Sequence, residues 1–307
     1  MPFRLKHVHV YALVSGKEIA LFDTGFNVGD SYEILEKDLE SIGLGIKSIR
    51  DIFITHAHTD HCSMAGLLKS RSGANIHLSA AADTFQQYFT KPDLLNRQGN
   101  QFYSQHGMSS QQIEIIFAVY ASISKIISQF KADDHLQPDE IREFGDWRFK
   151  VIFTPGHALG HVCFFFGKEK FLISGDHVLP QITPNLSPDI FDPNFRPLKS
   201  FLDSLQKLEN LPVERVYPGH GIYFTGLTAR LNELRAHHKE RTQLIVNSLG
   251  AQPKTTLQVS QDIFGVDLPD FDKFLALNET YVHLMELKLK GLIREEQTGN
   301  VLVYTAQ

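Results

Sequence analysis

Four of the six residues in the run His56-x-His58-x-Asp60-His61 carry side chains that ligate borderline metal ions such as zinc. Imidazoles two apart on an extended segment project to the same side, so His56 and His58 can share one ion. Asp60 and His61 fall where the chain bends toward a helix and can reach a second ion nearby. A lone His-x-His would read as chance, but four ligand-type residues directly after an apolar strand do not. Three later segments, Thr154-Pro155-Gly156-His157, Ser174-Gly175-Asp176 and Tyr217-Pro218-Gly219-His220, each place one more ligand type after a strand-like run. Strand ends hold a ligand rigidly while the following loop stays open to substrate, and the adjacent glycines permit tight turns and close backbone approach. Two neighbouring cations lower the pKa of a shared water enough to supply hydroxide near neutral pH and polarise the attacked group. The chemistry this set suits is hydrolysis.

Periodicity indicates the elements that must position these residues. Val8, Val10, Ala12 and Val14 repeat with period two, Ser15-Gly16-Lys17 reads as a turn, and residues 19–22 return as a strand closed by Asp23-Thr24-Gly25. Residues 32–42 predict a helix with Ile34, Leu35, Leu39 and Ile42 on one face and Gly43 at its end. A short strand at 49–54 delivers the chain into the His-rich run. A helix with Met64, Leu67 and Leu68 inward and a strand at 75–78 follow.

From about 82 to 140 no strand is predicted, while Ile116, Val119, Tyr120, Ile123, Ile127 and Phe130 recur at helical spacing. This segment reads as a helical insertion. Its apolar stripe is packing core in the plain reading, and a lid over the site or a homodimer surface in the sharper one. Strands resume at 148–153, 162–166 and 171–173. Pro180, Pro184, Pro188, Pro193 and Pro197 then exclude a central strand or long helix between 179 and 197, and a long loop inside a domain is often functional. A helix at 198–208 and a strand at 213–217 lead to His220. Beyond 226, helices at 228–249, 256–264 and 271–290 precede a hairpin over 291–305 turning at Thr298-Gly299-Asn300. Three helices and a two-stranded wing form a winged-helix pattern.

With 307 residues, the chain has room for one large domain and a small one. Its two cysteines, Cys62 and Cys163, exclude a disulfide framework and fit a reducing compartment. The N-terminus shows no apolar h-region and no run is long enough to span a bilayer, so a cytoplasmic location without membrane contact is expected. An exported antibiotic-degrading role is correspondingly disfavoured. Net charge is −5, whereas nucleic-acid binders usually show a basic excess. Residues 228–307 hold nine Lys and Arg against ten Asp and Glu, and 271–290 mixes Asp272, Glu279 and Glu286 with Lys273, Lys288 and Lys290. The C-terminal unit is therefore expected to pack on the catalytic domain and frame a substrate entrance, with nucleic acid disfavoured as a partner.

The ordered set Asp23-Thr24-Gly25, His56-x-His58-x-Asp60-His61, His157, Asp176 and His220 resembles the metallo-beta-lactamase superfamily. The resemblance implies an α+β chain: a four-layer αββα sandwich at 1–226, with the helical insertion at about 82–140 and the site at one edge of the packed sheets. A winged-helix-like domain follows at 227–307. It also implies one ion held by His56, His58 and His157, a second by Asp60, His61 and His220, and Asp176 bridging them. The cofactors are then two divalent metal ions, zinc first, with iron or manganese open. Catalytic candidates are Asp60 as acceptor of the water's proton, Asp23 as a hydrogen-bonding support of the ligand shell, and His177, which either donates a proton to the leaving group or faces away. His161, four residues after His157, either supports the ligand shell or is a plain buried histidine, the latter being the plainer reading, and Cys62 is expected to be a packed helix residue.

The C-terminal unit, with Gly175-Asp176-His177-Val178-Leu179-Pro180 and Ile182-Thr183-Pro184-Asn185, is similar to a bacterial subgroup that includes thioester-cleaving enzymes and a single-strand endoribonuclease. The expected activity is hydrolysis of an ester or thioester on a small-molecule or acyl-carrier substrate. Hydroxyacylglutathione hydrolases use a different helical C-terminal domain, so their substrate contacts do not carry over. A phosphodiesterase acting on single-stranded RNA is the alternative, and a metal-sensing winged-helix regulator the third reading.

Overall fold

Two short hydrophobic strands joined at Gly16 start the molecule, which the computed structural model describes over residues 7–88, 91–250 and 252–307. Strands β1 (Tyr11–Ser15) and β2 (Glu18–Phe22) pair antiparallel, and β3 (Ile49–Phe53), β4 (Asn75–Ser79) and β5 (Asp134–Leu136) add in parallel to complete a five-stranded sheet in chain order. Between these strands lie α1 (Ser31–Ser41), α2 (Thr59–Cys62), α3 (Ala65–Ser72), α4 (Ala80–Tyr88), α5 (Pro92–Gln105) and α6 (Ser110–Ser124). The second sheet runs β6 (Ile141–Phe144), β7 (Trp147–Phe153), β8 (Val162–Phe166) and β9 (Phe171–Gly175) antiparallel. The crossover helix α7 (Pro197–Leu208) returns the chain as β10 (Arg215–Pro218), parallel to β9. Helices α8 (Leu227–Ser248), α9 (Thr256–Phe264) and α10 (Asp270–Leu289) and the hairpin β11 (Ile293–Thr298)–β12 (Val301–Ala306) complete it.

The sheets face each other through aromatic residues. Phe22 meets Phe149 and Phe164 edge-on at 5.4 and 4.9 Å between ring centroids, and Phe53 meets Phe149 at 5.1 Å. Burying one such ring stabilises by about 1.5–3 kcal/mol, so a dry, close-packed layer fixes the strand ends from which the site grows. On the outer face of the first sheet, Leu39 of α1 and Leu68 of α3 cover Ile52 and Ile76. On the outer face of the second, Phe201 and Leu205 of α7, Leu231 of α8 and Val282 of α10 cover Cys163 and Leu172. The result is a mixed αββα arrangement. Among the described residues no helix is long and apolar enough to cross a membrane.

Three features differ from the sequence expectation. In β1 the inward residue is Leu13, while Ala12 and Val14 are exposed. This is an edge strand, so apolar residues on both faces left its phase ambiguous. The segment 82–140 does contain a strand: β5 is three residues long, at the sheet edge, with Leu136 its one buried side chain. The second sheet begins with β6, whose exposed Ile141 and single buried Phe144 carry little alternation. Within the insertion, Ile113, Ile116 and Phe117 of α6 pack with Tyr103 of α5 against Phe274 and Leu277 of α10. The inner part of the predicted stripe is thus covered by the C-terminal part of the chain.

Candidate metal centre

The site forms where five strands, β2, β3, β7, β9 and β10, end at the same rim. After β2, Asp23 adopts a left-handed backbone (φ 62°), and its N–H donates to Phe53 O (2.8 Å). Its carboxylate turns toward the residues leaving β3. Oδ1 accepts from Thr55 N (2.7 Å), and Oδ2 accepts from Thr55 Oγ1 (2.9 Å) and His61 Nδ1 (2.8 Å). A left-handed aspartate is costly for an L residue; three buried hydrogen bonds hold it there. The loop after β7 is tied to the one after β3, since Val162 N donates to Thr55 O (2.8 Å) and Thr154 N to His161 O (2.9 Å). The loop after β10 is tied to β9 by Gly219 N to Gly175 O (2.7 Å).

These ties bring all seven predicted ligand residues together. His56, His58 and His157 present donor atoms to one point, and Asp60, His61 and His220 to another, while Asp176 lies between. His56 Nε2 is 3.0 Å from His58 Nδ1. Asp176 Oδ1 is 3.4 Å from His61 Nε2, and its Oδ2 is 3.3 Å from His220 Nε2 and 3.7 Å from His157 Nε2. His220 Nε2 is also 3.2 Å from Asp60 Oδ2.

One ring nitrogen of four of the histidines is already committed. Thr55 gives its hydroxyl proton to Asp23, so it accepts from His56 Nδ1 (3.0 Å); His61 Nδ1 donates to Asp23. His157 Nδ1 donates to Asn185 O (2.8 Å) and His220 Nδ1 to His7 O (2.6 Å). Fixing one nitrogen sets the tautomer and aims the other at the centre, as metal-ligating histidines require. The Nε2 atoms of His61, His157 and His220 and Oδ1 of Asp176 are buried with no hydrogen-bond partner. Buried orphan lone pairs are expensive, and a pair of divalent cations is the chemistry that satisfies this donor set. The residues fit such ions.

The electrostatics divide the centre. Burial, reinforced by neighbouring imidazoles, holds His56 well below the ordinary histidine value and His58 at about 3, so both stay neutral and free to ligate. In the other half, burial is outweighed by charge. The His61 and His220 imidazoles keep Asp176 well below the usual carboxylate range, and Asp60 is lowered by the same neighbours. In return the carboxylates lift His61, and raise His220 to about 9. Protons held there must leave when a cation enters, so metal binding releases protons and weakens as pH falls.

The other candidates take distinct places. Asp23 reaches the centre only through His61 and Thr55. Asp23→Ala is expected to lower affinity for the ion at His61 by about 10–100-fold, measured by chelator competition; equal affinities would remove it from this role. His161 has more to do than a packed histidine. Its Nδ1 donates to Thr154 Oγ1 (2.8 Å) and its Nε2 accepts from Asp176 N (3.2 Å), so it positions the turn carrying Asp176. His177 is fully buried with its ring edge-on to Phe201 at 4.9 Å, and burial lowers it to about 3. Its ring thus packs against Phe201 of α7 and lies 5.9 Å from that of His161. Cys62 is buried in the core beside Met64 and Ala65. Sequence reasoning missed Thr55 and Asn185. A threonine between an apolar strand and His56 is a weak signal, and Asn185 acts through its backbone carbonyl, which has no side-chain signature.

Comparison with known proteins agrees with this geometry. The profile described as "Metallo-beta-lactamase superfamily" matches residues 4–220, and the chain belongs to that superfamily. By class it is a metallo-hydrolase. It is 26% identical over 315 residues to the "Probable metallo-hydrolase YqjP" of Bacillus subtilis (strain 168), covering 99% of this chain and 94% of that protein. It is 22% identical to an "Atrochrysone carboxyl ACP thioesterase" of Passalora fulva, over 94% of this chain and 72% of that protein. The crystal structure of a metallo-beta-lactamase family protein from Thermus thermophilus superposes with a TM-score of 0.87 at 27% identity, covering 100% of this chain and 96% of that one.

Proposed function

We propose that the protein hydrolyses an ester or thioester, with a small-molecule or carrier-bound acyl group as substrate. The observation that carries this reading is the cavity of about 60 Å³ beside His58 and His157. Ala57, Ala82, Phe85, Leu159, Pro188 and Phe195 make its walls apolar, and among the described residues no Lys or Arg lines it. Its one further ionisable group is Asp189, whose carboxyl burial pushes upward. Apolar walls suit an acyl chain, whereas a phosphodiester calls for cationic side chains. The thioesterase among the relatives is consistent with this choice.

His56, His58 and His157 would hold one divalent ion and Asp60, His61 and His220 the other, with Asp176 shared; zinc is the first choice for this donor set. Bound there, such ions supply a lowered water pKa and polarise the carbonyl. The protein's own groups do the rest. Asp60 is the more exposed ligand carboxylate, at 18% of its side chain against 8% for Asp176, and is where a released proton is taken up. Phe85 and Tyr88 of α4 approach the proline-rich loop, with Tyr88 stacked on Phe191 at 3.8 Å. The first helix of the insertion thus acts as a wall that excludes water from the acyl pocket.

The C-terminal elements are read as a winged-helix-like unit kept as a brace. The helix that would enter a DNA groove, α10, is buried along Phe274, Leu277, Glu279, Val282 and His283, which leaves it unsuited to reading base edges. The test is a panel of thioesters, aryl esters, lactones, β-lactams and a phosphodiester offered to the zinc-loaded protein. Turnover of thioesters or esters is expected; cleavage of the phosphodiester and nothing else would reverse the assignment.

A further inference from the structure

Away from the catalytic centre, a second set of ligand-type side chains is buried between α8, α10 and the proline-rich loop. His238 of α8 and Glu279 and His283 of α10 are only 1%, 6% and 0% exposed. Glu279 and His283 stand four residues apart, on one face of α10. His238 Nδ1 is 3.3 Å from His283 Nε2 and 3.6 Å from Glu279 Oε1, and His283 Nε2 is 3.5 Å from the same oxygen. Donor atoms ~2.0–2.1 Å from a tetrahedral zinc ion lie ~3.3–3.4 Å apart. The triangle has nearly those sides, and they match the spacings within the catalytic centre.

The surroundings aim His283 Nε2 and Glu279 Oε1 inward, while His238 Nε2, on the far side of its ring from the triangle, is buried without a hydrogen-bond partner. Thr242 gives its hydroxyl proton to His238 O (2.8 Å), so it accepts from His283 Nδ1 (2.9 Å) and leaves His283 Nε2 facing the triangle. Glu279 Oε2 accepts from Leu186 N (3.0 Å), while Oε1 is buried without a hydrogen-bond partner. Phe201 closes one side, its ring 4.9 Å from His177 and 5.2 Å from His238. A buried carboxylate oxygen between two imidazole nitrogens calls for a cation or a shared proton.

We propose that His238, Glu279 and His283 form a separate divalent-cation site of the zinc class, structural in role. Its place in the fold gives it a purpose. Glu279 Oε2 holds Leu186, and the adjacent Asn185 carbonyl takes the Nδ1 proton of His157. Asn185 Nδ2 also donates to Leu275 O (3.1 Å), and Asn278 Nδ2 to Ser187 Oγ (3.3 Å). A cation on Glu279 Oε1 joins α8 to α10, and through α10 to the loop that orients a catalytic-centre histidine.

The test is zinc content per full-length chain by elemental analysis after dialysis against a weak chelator. Wild type is expected to hold one equivalent more than His238→Ala, and Asp176→Ala is expected to keep one equivalent when its catalytic centre is emptied. Because the site braces the loop that orients His157, the same comparison is made between Asp176→Ala and Asp176→Ala/His238→Ala, where the emptied catalytic centre contributes no difference. Cobalt supplied to Asp176→Ala should give visible d–d absorption from a protein-bound ion, lost in Asp176→Ala/His283→Ala. Should the triad variants not fold, nitrogen NMR of the wild-type histidines decides the matter: metal-shifted His238 Nδ1 and His283 Nε2 support the site. A proton on His283 Nε2 in zinc-saturated protein, or equal zinc in wild type and folded His238→Ala, overturns it in favour of a buried proton-sharing triad.

Discussion

Asp176→Ala is expected to empty the catalytic centre of its shared ions and reduce turnover by more than about a hundredfold, beyond the range typical of residues that only support ligands. Among the described residues Asp176 approaches both halves of the centre: one oxygen is 3.4 Å from His61 Nε2, the other 3.3 Å from His220 Nε2 and 3.7 Å from His157 Nε2. Its charge is also the leading favourable influence keeping His61 above the ordinary histidine value. Alanine removes both attachment points and, among the described residues, leaves Asp60 as the one carboxylate beside Nε2 of His220 (3.2 Å) and of His61 (3.8 Å). Asp176→Asn, nearly isosteric, separates charge from shape and should fail almost as badly. Elemental analysis together with kinetics on an activated thioester checks the result. Retention of full metal content and rate by either variant would end the bridging assignment.

Gly219→Ala is the second large effect, and it involves no ligand at all. A Cβ on Gly219 would lie 2.3 Å from Asp176 Oδ1 and 2.7 Å from His61 Cε1. Neither neighbour can yield cheaply. His61 is pinned by Asp23, and Asp176 sits on a turn held by His161. The carboxylate must rotate out of the centre or the turn before His220 must back away. A 1 Å misplacement of a reacting group can cost about a hundredfold, so a loss of that order is expected, with weakened metal binding and a loss of stability of about 1–3 kcal/mol from overpacking. Kinetics, metal titration and thermal unfolding measured side by side check this; wild-type kinetics would show that the cradle around Asp176 is looser than its distances imply.

The seven residues that converge at the rim were legible because each sits in a short motif after a strand, and strands of this apolarity announce themselves. The supports were less so. His161 looked like an ordinary buried histidine because its partners, Thr154 and the Asp176 amide, meet it only in three dimensions. His177 was placed beside the chemistry by its neighbour in sequence, yet its ring packs against Phe201 of α7. Strand β5 escaped notice because a three-residue edge strand has room for one inward side chain. The contact from Glu279 to Leu186 spans 93 residues, a separation at which no local pattern carries information.

That contact also sets an order of events during synthesis. Chains emerge from the ribosome N-terminal end first and fold as they go, and the last ligand, His220, precedes α10 by about fifty residues. A nascent chain that has released both sheets already carries every ligand side chain. The loop offering its carbonyl to His157, however, still lacks the helix that holds it. Full metal competence is therefore expected to wait for α10, and a stalled chain whose β10 has cleared the exit tunnel while α10 has not should carry all seven side chains with His157 not yet oriented.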